Sequence, residues 1–183
     1  MAEIWLVRHG EAVSAFDQDT DPPLSALGRK QAERTAQYIK DNVPPEATLL
    51  TSPKRRAIET GQPLANFRSV DLLVDPRFIE LPSPGSLESR GAWIKQVLAA
   101  RWGELPPAVQ LWREELRTAL ASFEMPTVVF THFLVINSVA ARMSGDDTVM
   151  QCLPANASVH HLRIEKDDWQ WSARGDMLES PVN

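Results

Sequence analysis

The sequence predicts an α/β fold, with helices on both faces of a mainly parallel sheet in a three-layer α/β/α sandwich. Apolar segments of strand length alternate with amphipathic segments of helix length along most of the chain. Residues 4–7 and 126–131 are apolar or β-branched at successive positions, which is typical of strands buried on both faces. The chain has 183 residues, of which 43% are hydrophobic, and this suits a single domain spanning residues 1–183.

The first half of the chain is predicted to contain three strands and two helices. The strands are expected at residues 4–7, 47–51 and 70–74. Ser25 is expected to cap the first helix, and Ser52, followed by proline, is expected to cap the second. The first helix has one apolar face and is stopped by two prolines: Ala32, Ala36, Ile39 and Val43, then Pro44 and Pro45.

The second half begins with a proline-rich segment, residues 76–107, that contains one predicted helix near residues 89–100. We expect this segment to pass over the edge of the sheet as a lid-like excursion of the same domain. The remaining elements are predicted as a helix at 108–123, a strand at 126–131, a buried helix at 133–143 and a hairpin with strands at 158–164 and 169–173.

Composition argues against several classes of function. The formal net charge is −5 and the longest basic run is residues 54–56, so nucleic acid is not an expected partner. The most apolar stretch, residues 128–141, is too short and too polar for a membrane span, and the first residues lack the apolar core of a signal peptide. Cys152 is the only cysteine, so no disulfide is expected within the chain, which favours a cytoplasmic location.

Reactive side chains follow three of the predicted strands. Arg8 and His9 end the first strand, Arg56 lies just beyond the second, and His132 follows the fourth. Because the carboxyl ends of parallel strands meet at one edge of a sheet, we expect these side chains to share a crevice there. Guanidinium groups, imidazoles and helix N-termini together suit a dianionic phosphoryl group.

The chemistry of these groups predicts how they would act on such a ligand. A neutral imidazole can attack phosphorus and form a phosphohistidine. Guanidinium groups stabilise charge on the equatorial oxygens of the transition state. A carboxyl group or a second histidine is then needed to protonate the leaving oxygen.

Four segments resemble motifs of the histidine phosphatase superfamily, the phosphoglycerate mutase-like proteins. Residues 8–12 (RHGEA) resemble its R-H-G signature, and residues 24–32 (LSALGRKQA) resemble a helix start of the form L-[ST]-x-x-G-x-x-Q-A. Residues 52–60 (SPKRRAIET) are similar to S-P-x-x-R-A-x-[QE]-T, and Thr131-His132 stands where the family has [ST]-H. The four segments match in order and spacing over nearly the whole chain, which implies a phosphoglycerate mutase-like fold.

The resemblance also implies a role for each site residue. His9 would be the nucleophile that becomes phosphorylated, and Glu80 matches the position of the family's proton donor. The alignment selects Arg56, and not Arg55, as a phosphate ligand. The implied phosphate-binding set is Arg8, His9, Arg56 and His132. The resemblance implies neither a metal nor a cofactor.

The sequence departs from the family pattern at three places. Phe133 follows His132 where the family often has glycine, and we expect it to reshape the pocket wall. The asparagine often found a few residues after R-H-G is missing, and Ser14 or Ala15 stands near that place. Residues 82–84 (PSP) replace a frequent F-G-x-W-E-G run after Glu80, which leaves the substrate open.

We therefore expect a metal-independent phosphatase, a histidine acid phosphatase-type phosphoric monoester hydrolase that acts on a phosphorylated small molecule or, alternatively, a phosphoprotein. Mutases of the superfamily usually have a longer insertion between the third and fourth strands, so the short segment favours a phosphatase. A phosphoglycerate-type mutase, a protein phosphohistidine phosphatase and a non-catalytic phospho-ligand binding protein remain alternatives, and the oligomeric state stays open. Four basic residues could meet a second anionic group of the substrate or could equally be surface charges: Arg77, Arg90, Lys95 and Arg101.

The remaining two histidines of the second half and the cysteine are interpreted as structural. His160 and His161 are adjacent in a predicted strand, so they should face opposite sides of the sheet and cannot easily share a metal. Cys152 is not a nucleophile of the C-x5-R type, because Ser158 stands where the arginine would be needed.

Overall fold

The computed structural model of the protein describes residues 1–15 and 18–178. Its helices are α1 (Ala26–Asn42), α2 (Arg55–Arg68), α3 (Arg90–Ala99), α4 (Pro107–Ala121) and α5 (Phe133–Ser144). Its strands are β1 (Ala2–Arg8), β2 (Thr48–Thr51), β3 (Leu73–Val74), β4 (Thr127–Thr131), β5 (Val159–Glu165) and β6 (Asp168–Ala173). Within these described residues, no helix combines the length and the hydropathy that crossing a bilayer requires.

The six strands form one sheet in the order β3-β2-β4-β1-β5-β6. Strands β1 to β4 run parallel, and the hairpin of β5 and β6 joins β1 in the antiparallel direction. The register pairs Arg8 of β1 with Thr131 of β4, and Thr51 of β2 with Phe130 of β4. The carboxyl ends of these three strands therefore lie side by side, and the predicted, mainly parallel sheet is confirmed.

Both faces of the sheet are covered by helices. Ile4 and Leu6 of β1 belong to a core cluster with residues of α3, α4 and α5, whereas Trp5 and Val7 belong to a cluster with residues of α1 and α2. The alternation follows from the two-residue period of a strand. All four side chains are buried because helices cover both faces, and the three-layer α/β/α arrangement is confirmed.

The first two helices start in different ways. Ser25 caps α1 as predicted, and its Oγ accepts a backbone N–H of the first turn at 2.9 Å. The prediction that Ser52 caps α2 is wrong, because α2 begins at Arg55 and its N-cap residue is Lys54. The Ser52 hydroxyl instead accepts the N–H of Lys54 at 3.2 Å and bonds to the ring of His132 at 2.7 Å.

The chain between β2 and β4 differs in detail from the prediction. The third strand contains only Leu73–Val74, both exposed at the edge of the sheet, rather than residues 70–74. Residues 76–107 carry α3 and three short 3₁₀ turns. Four side chains of this segment are buried in the core cluster shared with α4 and α5: Phe78, Leu81, Val97 and Trp102. These buried anchors attach the segment firmly to one face of the sandwich.

The two adjacent histidines of β5 face opposite sides of the sheet, as predicted. His160 is buried, bonds to the Ser158 hydroxyl at 2.8 Å and accepts the N–H of Gly175 at 3.2 Å. His161 stacks on Trp5 with ring centres 4.4 Å apart. The ring centre of His160 lies 5.9 Å from that of Trp171, so each histidine has an aromatic neighbour.

Candidate active site

Three loops meet at the carboxyl edge of the parallel strands. The N–H of His9 donates to Thr131 O at 2.9 Å, and the N–H of Ser52 donates to Phe130 O at 2.9 Å. The chain beyond β1 and the chain beyond β2 are therefore both still bonded to β4 when they leave the sheet. Their side chains enter one space, which is the crevice that the sequence predicts.

Two glycines let the loop after β1 lie directly on the start of α1. A Cβ atom on Gly28 would lie 2.0 Å from Glu11 O, and one on Gly10 would lie 2.7 Å from Gly28 O. The Ser25 hydroxyl donates to Glu11 Oε1 at 2.6 Å, and Gln31 Oε1 accepts the N–H of Glu11 at 2.8 Å. The first two sequence motifs thus hold each other in place, and with them the loop that carries His9.

The ring of His9 is held in one tautomer. Its Nδ1 lies 2.7 Å from Gly10 O, which can only accept, so Nδ1 carries the proton and Nε2 carries the lone pair. That Nε2 accepts a hydrogen bond from Nε of Arg56 at 3.1 Å. Burial, together with the positive charges of Arg56 and Arg8, lowers the pKa of His9 well below its usual range. The ring is therefore neutral at physiological pH, which is the nucleophilic form.

Arg56 lies in the first turn of α2 and is 7% exposed. Thr60, one turn later, accepts the N–H of Gly10 at 2.9 Å and donates to Arg56 O at 2.7 Å, so it ties the helix to the His9 loop. Burial lowers the pKa of Arg56, and the charge of Glu80 opposes this. Arg56 stays a cation, because an arginine keeps its proton under physiological conditions.

Arg8 is anchored at the end of β1. Its Nη1 donates to Pro154 O at 2.6 Å, and its guanidinium carbon lies 5.3 Å from the centre of the Phe133 ring. Burial lowers the pKa of Arg8 to about 10, the charge of Glu80 raises it, and that of Arg56 lowers it further. Phe133, which replaces the glycine of the family pattern, therefore packs against one of the predicted phosphate ligands.

Glu80 sits over the N-terminus of α5. Its carboxyl oxygens accept the N–H of Leu134 at 3.1 and 3.3 Å, and Oε1 also accepts the N–H of Leu81 at 3.1 Å. Burial raises the pKa of Glu80 above its usual range, although these N–H groups, Arg56 and Arg8 all act in the opposite direction. Glu80 consequently keeps its proton to higher pH than an exposed carboxyl group does, as a proton donor requires.

His132 is fully buried, with its ring centre 5.2 Å from that of His9. Its Nε2 lies 2.7 Å from the Ser52 hydroxyl, which already accepts the N–H of Lys54. The Ser52 proton is best directed to Nε2, and the remaining proton of His132 then lies on Nδ1. Within the described part of the chain this buried Nδ1 has no hydrogen-bond partner. Burial is the largest cause of the lowered pKa of His132, so its ring is also neutral.

The predicted site residues Arg8, His9, Arg56 and Glu80 line one cavity of about 650 Å³. Much of the outer wall is apolar and includes Ala12, Val13, Ile94, Leu98 and Leu153. Among residues 1–15 and 18–178, no three His, Cys, Asp or Glu side chains are grouped to hold a metal ion.

The four basic residues considered for a second anionic group are dispersed. Lys95 lines the cavity. Arg90 is close enough for its charge to lower the pKa of Arg56. Arg77 pairs with Asp75 at 2.6 Å, and Arg101 lies 4.0 Å from Asp146, and both arginines are largely exposed.

Comparisons with known proteins identify the family. The profile of the histidine phosphatase superfamily (branch 1) matches residues 4–177. The chain belongs to this superfamily. Its resemblance to the probable phosphoglycerate mutase GpmB of Proteus mirabilis reaches 32% identity over 98% of this chain and 92% of that protein. The uncharacterized phosphatase PhoE of Bacillus subtilis is 24% identical over 93% of this chain and 92% of its own length.

A solved structure has a similar fold. Bacillus stearothermophilus YhfR superposes with a TM-score of 0.77 at 20% identity, and the match covers 97% of this chain and 98% of that chain. The likeness therefore extends over nearly the whole length of both chains. The predicted phosphoglycerate mutase-like fold is confirmed.

Two polar residues near this histidine phosphatase site were not predicted to belong to it. Ser52 was expected to cap α2 and instead holds the ring of His132. Asn156 lines the cavity from the loop that precedes β5. Because β5 runs antiparallel to β1, it starts at the edge where β1 ends, and this rule could have placed the loop at the site.

Proposed function

We propose that the protein is a phosphatase that hydrolyses phosphomonoesters through a phosphohistidine on His9. The observation that carries this proposal is the neutral His9 ring with its Nε2 lone pair beside Arg56, in a cavity that also holds Glu80. Membership of the histidine phosphatase superfamily supports an enzyme that acts on phosphate esters. A cytoplasmic location is part of the proposal, since the chain has a single cysteine.

In the first step the Nε2 lone pair of His9 attacks phosphorus while the bond from phosphorus to the ester oxygen breaks. Glu80 gives its proton to that oxygen, so the alcohol leaves neutral and Glu80 becomes a carboxylate. Arg56 exchanges its bond with His9 for bonds to phosphoryl oxygens. Arg8 supplies further positive charge to the transition state. The Nδ1–H of His132, buried beside His9 and without a partner among the described residues, is assigned the role of a further donor.

In the second step water attacks the phosphohistidine. The Glu80 carboxylate takes one proton from the water as its oxygen bonds to phosphorus, and the bond from phosphorus to Nε2 breaks. The electron pair returns to Nε2, inorganic phosphate leaves, and both His9 and Glu80 regain their starting forms. Neither step requires a metal ion.

The cavity supports a phosphorylated small molecule as the substrate. Its volume of about 650 Å³ lies within the range of small-molecule sites. The charged residues Arg8 and Arg56 line it together with His9, and much of the rest of the wall is apolar. The phosphoryl group would accordingly bind beside the arginines and the alcohol portion of the ester against the outer wall.

The proposal is tested by phosphate release from a panel of phosphomonoesters in the presence of a chelator, comparing wild type with His9→Ala. Chelator-resistant turnover that the substitution abolishes is the expected result. Acid-labile incorporation of ³²P into wild type, absent from His9→Ala, would identify the intermediate directly. A folded wild-type protein that binds inorganic phosphate but hydrolyses no ester would favour a phospho-ligand binding protein.

A phosphoglycerate-type mutase is the second candidate, favoured by the name of the Proteus mirabilis relative. A mutase must return the phosphoryl group of His9 to another hydroxyl of the substrate, so it holds water out of the site. Its signature is interconversion of phosphoglycerates that requires a bisphosphate primer. Phosphate release without primer, faster than any interconversion, supports the phosphatase.

A further inference from the structure

The loop before β5 is bonded to both Arg8 and His9. Pro154 O accepts a hydrogen bond from Nη1 of Arg8 at 2.6 Å, and the N–H of Ala157 donates to His9 O at 3.2 Å. Asn156 lies between these two anchor points in the sequence. Its position is therefore set by the arginine that binds phosphate and by the nucleophile, under the function proposed above.

The backbone of this loop is held in a costly conformation. Ala157 has a φ of 59°, in the left-handed region that residues other than glycine seldom adopt. The Thr35 hydroxyl donates to Ala157 O at 2.7 Å in a buried contact, and the N–H of Ala155 donates to Asp176 O at 2.9 Å. These contacts hold the backbone on both sides of Asn156.

Asn156 lines the cavity, and its carboxamide has no partner among the described residues. Asn156 is part of the cavity wall, and its Oδ1 is buried. Within residues 1–15 and 18–178, neither Oδ1 nor Nδ2 has a hydrogen-bond partner. Because Oδ1 is buried, Nδ2 is the accessible end of the carboxamide, and its N–H groups are free to donate to a ligand in the cavity.

We propose that Asn156 is a further substrate-binding residue, whose Nδ2 donates a hydrogen bond to a non-bridging oxygen of the phosphoryl group beside Arg8. This inference rests on the proposed function. A neutral amide donor suits that place. It adds a hydrogen bond to the anion without placing a third positive charge beside Arg8 and Arg56. Asn156 thereby supplements the cations as a ligand of the transferring group.

Two substitutions and two ligands test this role. Inorganic phosphate mimics the product, and orthovanadate mimics the five-coordinate transition state, and the affinity for both can be measured with or without turnover. Asn156→Ala removes one hydrogen bond to a charged ligand. We therefore expect it to lower the affinity for vanadate and kcat/KM by about tenfold to a hundredfold. Asn156→Asp keeps the shape of the side chain but places a carboxylate against the anion, so a larger loss is expected.

The pH dependence separates a contact with the ligand from a structural role. As pH falls, the carboxyl group introduced by Asn156→Asp gains a proton and can donate a hydrogen bond. The ratio of the phosphate affinity of this variant to that of wild type, measured at the same pH, should therefore rise as pH falls. Asn66→Asp is the matched control, because it adds the same charge at an exposed site and keeps an oxygen for its bond from Gln62. It should leave phosphate affinity and kcat/KM unchanged.

Unchanged vanadate and phosphate affinity in folded Asn156→Ala would overturn the inference. So would an affinity of Asn156→Asp that follows wild type across the whole pH range. A wild-type protein that binds phosphate without hydrolysing esters would refute the phosphatase proposal alone, since the binding comparisons would still decide the role of Asn156.

Discussion

Arg56 donates from its Nε to the Nε2 of His9 over 3.1 Å, so a cation occupies the lone pair that must attack phosphorus. This bond holds the imidazole in place and helps to keep it neutral, because a proton on Nε2 would face the guanidinium charge. When a phosphoryl group enters, Arg56 can transfer its donors to the phosphoryl oxygens and release Nε2. The same side chain would thus orient the nucleophile before the reaction and stabilise charge during it.

Arg56→Lys should lower kcat/KM by about a hundredfold, because an ammonium group cannot reproduce the planar fork that contacts both an imidazole and a phosphoryl group. Steady-state kinetics with a phosphomonoester measure the effect. Arg55→Lys is the control, since Arg55 is exposed and paired with Glu59 at 2.8 Å, and it should change the rate by less than about twofold. Equal losses at both positions would contradict the assignment of Arg56.

Glu80 should set the alkaline side of the pH profile. Its pKa is raised, so the acid form persists above the usual range of a carboxyl group, and kcat should fall as pH rises through that raised value. The lowered pKa of His9 keeps the nucleophile neutral down to acidic pH, so activity should be highest at mildly acidic pH. Measurement of kcat across pH at saturating substrate tests whether the acidic decline and the alkaline decline follow the lowered pKa of His9 and the raised pKa of Glu80.

Glu80→Gln should remove that alkaline decline and lower kcat strongly for alkyl phosphates. The loss should be smaller for p-nitrophenyl phosphate, whose leaving group needs little help from an acid. Glu11→Gln is the comparison. Glu11 also lines the cavity, but its carboxylate is engaged in a hydrogen bond from the Ser25 hydroxyl. A Glu80→Gln enzyme with equal losses on both substrates and an unchanged pH profile would show that Glu80 is not the proton donor.

Gly28→Ala should destabilise the protein and reduce activity together. The added methyl group would lie 2.0 Å from Glu11 O, so the loop carrying His9 must move away from α1. We expect a loss of about 1–3 kcal/mol in the free energy of unfolding. Gly103→Ala is the control, since its nearest neighbour is Oδ2 of the Asp147 side chain at 3.0 Å, which would need to shift by only a few tenths of an ångström while it still accepts the N–H of Gly103. Thermal unfolding and kcat measured on both variants decide the point.

Truncation after Gly175 should impair catalysis through the loop before β5. It removes two backbone contacts, Asp176 O with Ala155 N–H at 2.9 Å and Leu178 N–H with Leu153 O at 2.7 Å. It also removes Leu178 from the cavity wall. We expect kcat/KM to fall at least about tenfold, because the loop before β5 loses a pair of hydrogen bonds. Truncation after Leu178 keeps both contacts, and equal activity of the two truncated proteins would contradict the prediction.

Much of the fold could be predicted because it depends on local pattern. The apolar run in β1 and the β-branched run in β4 indicate strands buried on both faces, and these two strands pair in parallel at the centre of the sheet. The Ser25 cap was predicted correctly because its bond lies within one helical turn. The Ser52 cap was predicted wrongly, since a Ser-Pro pair is equally compatible with the turn that brings Ser52 to His132, a residue 80 positions away.

The sequence by itself determined which chemical groups reach one edge of the sheet, because strand ends and motif spacing place Arg8, His9, Arg56 and His132 there. Only the tertiary structure decided the state of those groups. The tautomer of His9 depends on the carbonyl direction of Gly10, and the raised pKa of Glu80 depends on burial against α5. The role inferred for Asn156 depends on a loop bonded to β1 across more than a hundred residues. Protonation and hydrogen bonding respond to neighbours in space, and distant segments of the chain supply those neighbours only after folding.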